Sequence, residues 1–360
     1  MMKSPLNTSI EETQKSATKR RVSGEFVRGV SGFRHAIGDP DFQPEKNRYH
    51  LFVAFNCPWC HRASLARNIR GLQSSITMDV VFPSRTETND RAGPNLWQFA
   101  PERVAIATGG PLPECTSETA TEKSYSLIKE IYAAEGSTEQ SVPILYDKKA
   151  KRIVNNESAE IIRMLDSNAN ALGTTVRQQP YLYPKDETQQ NEVNILNKKI
   201  YTTINNGAYK AGFSSDQKIY AKAFCEYFQT LSELEEKLAA DDRPFLTGAN
   251  FTEADLRLFP TLYRHDPIYY LRMKLNGAKI LDYPHLWRWL CRVYALPGVA
   301  ESSALTHCKQ GYFGRTWNKK IPVGPLKPMP YPSAYHHPEL STERLVLKWR
   351  NGKGFVTKRD

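Results

Sequence analysis

Cys57-Pro58-Trp59-Cys60-His61-Arg62 constrains this chain more than any other stretch, because of what flanks it. Before it, Tyr49-His50-Leu51-Phe52-Val53-Ala54-Phe55 is an apolar run that reads as a buried strand. After it, Ala63 to Ile69 carry apolar side chains at helical spacing, and Met78 to Phe82 reads as a second strand. A β-α-β unit of this kind favours parallel strands and a right-handed crossover. Pro58 suits the first helical position, where its missing N–H costs nothing. Cys57 then caps the helix, facing free backbone N–H groups and the positive end of the helix dipole. Both favour a thiolate. An ordinary thiol has a pKa near ~8.5, whereas cap-position cysteines fall to about 3.5–7.5. The stretch is arranged for a sulfur nucleophile.

Two other uses of a C-x-x-C pair fit less well. Half of a zinc site calls for a second such pair or a histidine pair nearby. Cys115, Cys225, Cys291 and Cys308 are isolated, and His336-His337 is remote. Six scattered cysteines in 360 residues are no secreted disulfide framework either. No metal is expected, and thiol chemistry in a reducing compartment is.

The rest of the first half extends the unit. Residues 119–134 read as a helix, Val142 to Tyr146 and Arg152 to Val154 as a hairpin, and Ser158 to Leu165 as a closing helix. The order β-α-β-α-β-β-α is the thioredoxin-like arrangement, which keeps its reactive cysteine at the first β-α junction. Val142-Pro143 stands where that fold places a cis-proline facing the cysteine; a proline opening an edge strand is the alternative use. Pro83 to Gly110 reads as irregular, with Trp97 and Phe99 as its large anchors. A linker near residues 167–186 leads into a mostly helical region. There Tyr220, Phe224, Tyr227, Leu231, Leu234 and Leu238 mark the core face of a long helix. Thr252-x-x-Asp255 is a capping box that opens another.

The expected organisation is a basic arm over residues 1–35, a thioredoxin-like domain over 36–168, an all-helical domain over 186–318 and a tail over 319–360. Of the net charge of +11, +4 falls in residues 1–35 and +6 in residues 319–360, leaving +1 for the body. The excess therefore sits on the two ends, and neither carries an interleaved aromatic-basic motif, so nucleic acid is not an expected partner. No segment approaches the ~18 consecutive apolar residues of a membrane span, and none is expected to cross one. Met1 to Lys19 lacks an apolar core, so it is no secretory signal. Glu11, Glu12 and Glu25 argue against a mitochondrial presequence. A cytoplasmic location is expected, with organelle import as the alternative.

Several motifs together are more specific than the fold. Gly24-Glu25-Phe26-Val27-Arg28, Ser31-x-Phe33-Arg34, Cys57-Pro58-Trp59-x-His61-Arg62, the run from Val154 to Arg163, and Asn206-Gly207-x-Tyr209-Lys210-Ala211-Gly212-Phe213 resemble the xi-class glutathione transferases. These are the S-glutathionyl-hydroquinone reductases, and the likeness runs from about residue 24 to about 325. It implies an α/β plus all-α chain, with an N-terminal thioredoxin-like domain and a C-terminal all-helical glutathione-transferase domain. It also implies a homodimer, and glutathione as co-substrate in reducing glutathionyl-hydroquinones to hydroquinones.

Individual residues fit that chemistry. Ser158 and nearby N–H groups at a helix start suit a carboxylate, and Glu157 suits an ammonium, which together match the γ-glutamyl end of glutathione. A helix-capping pair would use the same two residues. The Val142 backbone beside Pro143 suits strand-like pairing with the peptide. Trp97 either covers the bound peptide or anchors the core. The resemblance implies Tyr209 and Tyr312 as acids toward the leaving ring, and Cys57 as the thiolate that takes up glutathione in a mixed disulfide. Cys60 departs from the alanine usual in the family. It is either a second, resolving thiol or a small buried replacement. Tyr263-Arg264-His265-Asp266 departs from the family's Arg-Phe-Asp, so that part of the acceptor pocket differs. The competing activities are an omega-like thioltransferase or dehydroascorbate reductase, and a non-catalytic scaffold on the same fold.

Overall fold

A computed structural model describes residues 24–86, 91, 95–101, 115–176 and 181–314, together with the backbone of Leu345–Arg350 and Lys353–Lys358. The arm up to residue 23, parts of the irregular stretch between Pro83 and Gly110, part of the linker, and most of the proline-rich tail lie outside the described residues.

β1 (Tyr49–Val53) is buried at every position, the signature of a strand with neighbours on both edges and packing on both faces. It pairs in parallel with β2 (Thr77–Val80), His50 opposite Thr77 and Val53 opposite Val80. On its other edge it pairs antiparallel with β3 (Ile144–Asp147), which pairs antiparallel with β4 (Arg152–Asn155). The order β2-β1-β3-β4 is that of the thioredoxin-like sheet. α1 (Pro58–Ile69) provides the crossover and packs on α4 (Ser158–Ser167).

Between β2 and β3 one expected helix is two. α2 (Glu118–Thr121) ends where Glu122 turns left-handed at φ 57°, and α3 spans Ile128–Ala133. The Ser117 hydroxyl accepts from Tyr125 N at 2.7 Å and donates to Lys123 O at 2.6 Å. Ile128 N donates to Trp97 O at 3.0 Å, so pairing with the neighbouring segment overrides the helical pattern.

The helical body follows: α5 (Glu187–Lys199), α6 (Gly207–Phe213), α7 (Gln217–Ala239), α8 (Glu253–Arg264), α9 (Tyr270–Arg272), α10 (Pro284–Tyr294) and α11 (Leu305–Phe313). Two wide π-helical turns interrupt it, Ile200–Asn205 before α6 and His265–Tyr269 after α8. The Thr252–Asp255 box is present, and Asp255 does more than cap. Its carboxylate accepts from Thr252 N and Leu246 N, each at 2.9 Å, and from Trp289 Nε1 at 2.8 Å. Among the described residues no helix is long and apolar enough to cross a membrane.

Two stretches differ from their expected character. Residues 24–35, grouped by charge with the arm, are bonded into both halves of the body. Gly24 O accepts from Ser215 N, Arg28 Nε donates to Asn206 Oδ1, and His35 N donates to Val154 O. The tail, for which no strand was expected, contains the antiparallel pair β5 (Leu345–Arg350) and β6 (Lys353–Lys358).

Candidate active site

Cys57 sits where β1 hands over to α1, as the helix N-cap with extended backbone (φ −81°, ψ 122°) and Pro58 next. Its N–H is used by Ala54 O at 2.9 Å, which closes the turn. Cys57 is partly exposed, and its Sγ lies 3.8 Å from the carbonyl oxygen of Val142. The Val142–Pro143 peptide bond, directly ahead of β3, is cis. Burial works against ionising Cys57 but is outweighed. The Cys60 thiol, the N–H groups of Cys60 and Trp59 and the charge of Arg264 bring its pKa down to about 6. At neutral pH Cys57 is mainly thiolate.

Arg264 is the device beneath it. This guanidinium is fully buried and always charged. It donates to Phe55 O at 2.8 Å, Asn56 O at 3.3 Å and Pro260 O at 2.8 Å, holding the two residues ahead of Cys57. Its Nη1 also donates to His61 Nδ1 at 2.9 Å, which leaves the His61 proton on Nε2, bonded to Ser303 Oγ at 3.1 Å. Burial and the Arg264 charge keep His61 well below its usual pKa, hence neutral.

The wall facing Cys57 is aromatic. Tyr209 Oη lies 2.8 Å from Tyr312 Oη, which lies 3.1 Å from Tyr269 Oη. All three are pushed up by burial, Tyr209 further by the negative charge of Cys57, so all three remain protonated donors. Tyr209 and Tyr269 each lie close to a π-helical turn, a distortion frequent at functional sites. The Arg28 guanidinium stacks 4.4 Å from the Trp59 ring centre and 4.8 Å from that of Tyr209, and Arg62 covers Trp59 at 4.4 Å. Arg28 Nη2 and Trp59 Nε1 are buried and have no hydrogen-bond partner among the described residues.

The residues expected to hold a peptide have different surroundings. Glu157 is the N-cap of α4, accepting from Ala159 N at 3.0 Å and from Ser31 Oγ at 3.3 Å. Capping thus uses one carboxylate oxygen, and Ser31 leans on the other. Ser158 opens α4 and is buried. Trp97 is buried in the core beneath Arg85, whose guanidinium lies 4.3 Å from its ring centre, and its indole N–H is unpartnered among the described residues. The structure therefore brings Cys57, Val142, Pro143, Tyr209 and Tyr312 into one group. Tyr269, Arg28 and the neutral His61 join it without having been singled out. Tyr269 is one of 18 tyrosines, and its spacing from Tyr209 and Tyr312 carries no local signal. Among the described residues no group of three or more His, Cys, Asp or Glu stands close enough to hold a metal.

The glutathione S-transferase N-terminal domain family matches residues 56–168, and the C-terminal domain family matches residues 217–292. Glutathionyl-hydroquinone reductase PcpF of Sphingobium chlorophenolicum is 36% identical over 314 residues, covering 85% of this chain and 92% of that protein. Among solved structures, the xi glutathione S-transferase of Phanerochaete chrysosporium superposes with a TM-score of 0.74 at 35% identity, covering 87% of this chain and 95% of that one. The chain belongs to the xi-class glutathione transferases. The glutathione-bound YqjG of Escherichia coli K-12 is similar at 34% identity and a TM-score of 0.71, over 84% of this chain and 94% of that one. Omega-like glutathione S-transferase 2 of Schizosaccharomyces pombe is 37% identical over 315 residues, covering 85% of this chain and 94% of that protein. In the xi-class frame the Cys57 junction, the Arg264 clamp and the tyrosine cluster form one thiol site with an aromatic wall.

Proposed function

We propose that the chain reduces S-glutathionyl-hydroquinones to hydroquinones with glutathione as co-substrate, Cys57 acting as nucleophile. The observation that carries this reading is an ionised cysteine whose charge acts on Tyr209, itself bonded into a cluster of three protonated tyrosines. Glutathione would lie along the Val142 edge, its γ-glutamyl end toward Glu157 and Ser158. Trp97 and Arg28 each have a buried donor to offer. Cys57 S⁻ attacks the glutathione sulfur of the substrate, forming an S–S bond and breaking the sulfur–ring bond. The electron pair passes to the ring, whose carbon takes up a proton, and hydroquinone departs. Tyr209 and Tyr312, with Tyr269 behind them, steady the ring oxygens and supply the hydrogen bonds that this charge needs. A glutathione thiolate then attacks the Cys57 mixed disulfide, giving oxidised glutathione and restoring Cys57.

A homodimer belongs to this proposal, resting on the family, and size-exclusion chromatography with light scattering tests it. Six cysteines, none in a disulfide, support a reducing compartment such as the cytoplasm. Steady-state turnover of 2-glutathionyl-hydroquinone tests the chemistry. Cys57→Ser should lower kcat by at least about 10³-fold, since a hydroxyl at neutral pH is a far poorer nucleophile. Retained turnover in that variant would discard the assignment. Faster turnover of a glutathione mixed disulfide than of the glutathionyl-hydroquinone would favour a thioltransferase instead.

A further inference from the structure

Cys60 is the residue that the proposed reaction leaves unused. It lies in the first turn of α1, three residues after Cys57, and is completely buried, whereas Cys57 is partly exposed. Cys60 is thus the buried member of the pair, and its thiol acts directly on the Cys57 sulfur. A glutathione joined to Cys57 must occupy the opposite, open side, along the Val142 edge. With one thiol buried and the other reaching solvent, Cys60 would attack Cys57 from the side opposite a departing glutathione, as displacement at a disulfide requires.

We propose that Cys60 is a resolving thiol that displaces glutathione from Cys57 and closes an internal Cys57–Cys60 disulfide. The inference rests on the reading of Cys57 as the nucleophile. In the step, the Cys60 sulfur forms a bond to Cys57 Sγ while the Cys57–glutathione bond breaks. The departing glutathione takes the proton that Cys60 gives up, and no external oxidant is needed. Two glutathiones then restore the dithiol: the first reopens the ring as a Cys57 mixed disulfide, and the second leaves with it as oxidised glutathione. Overall stoichiometry is unchanged, but glutathione is released before a second one has to bind.

The electrostatics favour this order. In the resting site burial, then the neighbouring Cys57 thiolate, hold Cys60 as a thiol. Joining glutathione to Cys57 removes that negative charge. The Ala54 backbone and the Arg264 cation, which favour a Cys60 thiolate, remain. The other groups packed around the pair do not oppose the change: His61 is neutral, and burial keeps Tyr132 and the Cys308 thiol protonated. The first step thus leaves the Arg264 field to act on the Cys60 sulfur alone.

Intact-protein mass spectrometry after a single turnover tests this. Reduced, glutathione-free enzyme is mixed with one equivalent of 2-glutathionyl-hydroquinone and quenched in acid. Wild type should lose the mass of two hydrogens and release one equivalent of glutathione. Cys60→Ser, which keeps a hydrogen-bond donor beside Cys57, should instead retain one glutathionyl group. Cys57→Ser should be unchanged. A wild-type enzyme that holds its glutathionyl group as stably as Cys60→Ser does would overturn the resolving role and leave the Cys57 mechanism standing. Should Cys60→Ser take up no glutathionyl group while remaining folded by circular dichroism, the Cys57 reading fails and this inference falls with it.

Discussion

At the scale of single residues, the site is a competition over where one negative charge can rest. Burial disfavours a Cys57 thiolate, yet two N–H groups, a thiol donor and the Arg264 cation reverse that preference. The rate of Cys57 alkylation by iodoacetamide should therefore rise with pH through a midpoint near about 6, where an ordinary thiol would show ~8.5. Reactivity is present above that midpoint and lost below it, because only the thiolate attacks. Arg264→Met should move the midpoint upward, and a mass-spectrometric alkylation profile reads it directly. Arg264→Lys should restore part of the shift. On the opposite wall, Tyr209→Phe removes a hydroxyl that the Cys57 charge acts on and should lower kcat by about 10–10² with little change in KM, as expected of a donor used mainly in the transition state. An unchanged kcat would remove Tyr209 from the mechanism.

At the scale of elements, the site depends on how α11 and α8 approach the β1–α1 junction. Gly311 lies against Asn56, next to Cys57, and a Cβ there would come within 2.3 Å of the Asn56 amide nitrogen. Gly311→Ala should displace α11 and pull Tyr312 from Tyr209 and Tyr269, at a cost of about 1–3 kcal/mol. Urea denaturation together with kcat checks both consequences. The capping box makes a contrasting case. Thr252→Ala should cost about 1 kcal/mol, a usual figure for a lost cap. Asp255→Ala should cost more, because Leu246 N–H, Thr252 N–H and the Trp289 indole N–H all lose their buried acceptor, each worth roughly 1–3 kcal/mol. Equal effects of the two substitutions would show that Asp255 serves the cap alone.

At the scale of the whole molecule, several histidines are buried in neutral form. His265 and His307 are each brought down to about 4, chiefly by burial. Between the usual histidine pKa near ~6.5 and that value the unfolded chain binds protons that the folded chain refuses, so stability falls as pH falls. Each contributes up to about 3 kcal/mol at the acid end of that window. Asp266, raised to about 6 by burial, opposes this over the same range, since the folded chain takes up its proton first. Glu135, Glu139, Asp166 and Asp255, also raised by burial, oppose it too, while His50 and His61 are lowered with His265 and His307; we expect the four histidines to outweigh the carboxyls. The Tm should drop from pH 7 to pH 5, and scanning calorimetry across that interval checks it. A flat or rising Tm would show that these rings can be protonated without unfolding.

Local pattern was enough for much of this protein. The β1–α1 junction, the hairpin of β3 and β4, the long α7 and the Thr252 box are all set by residues within a few positions of one another, where spacing and capping decide the outcome. Cys57 at a helix cap and Pro143 at the head of a strand were legible for the same reason. Tertiary structure decided the rest. Arg264 reaches Phe55 and Asn56 from more than two hundred residues away, and Tyr209, Tyr269 and Tyr312 meet only when three helical segments converge. The split of α2 from α3 likewise follows from pairing with the distant Trp97 segment. Hydrogen bonds and charges act through space, so contacts between residues far apart in the chain leave no periodic trace in it.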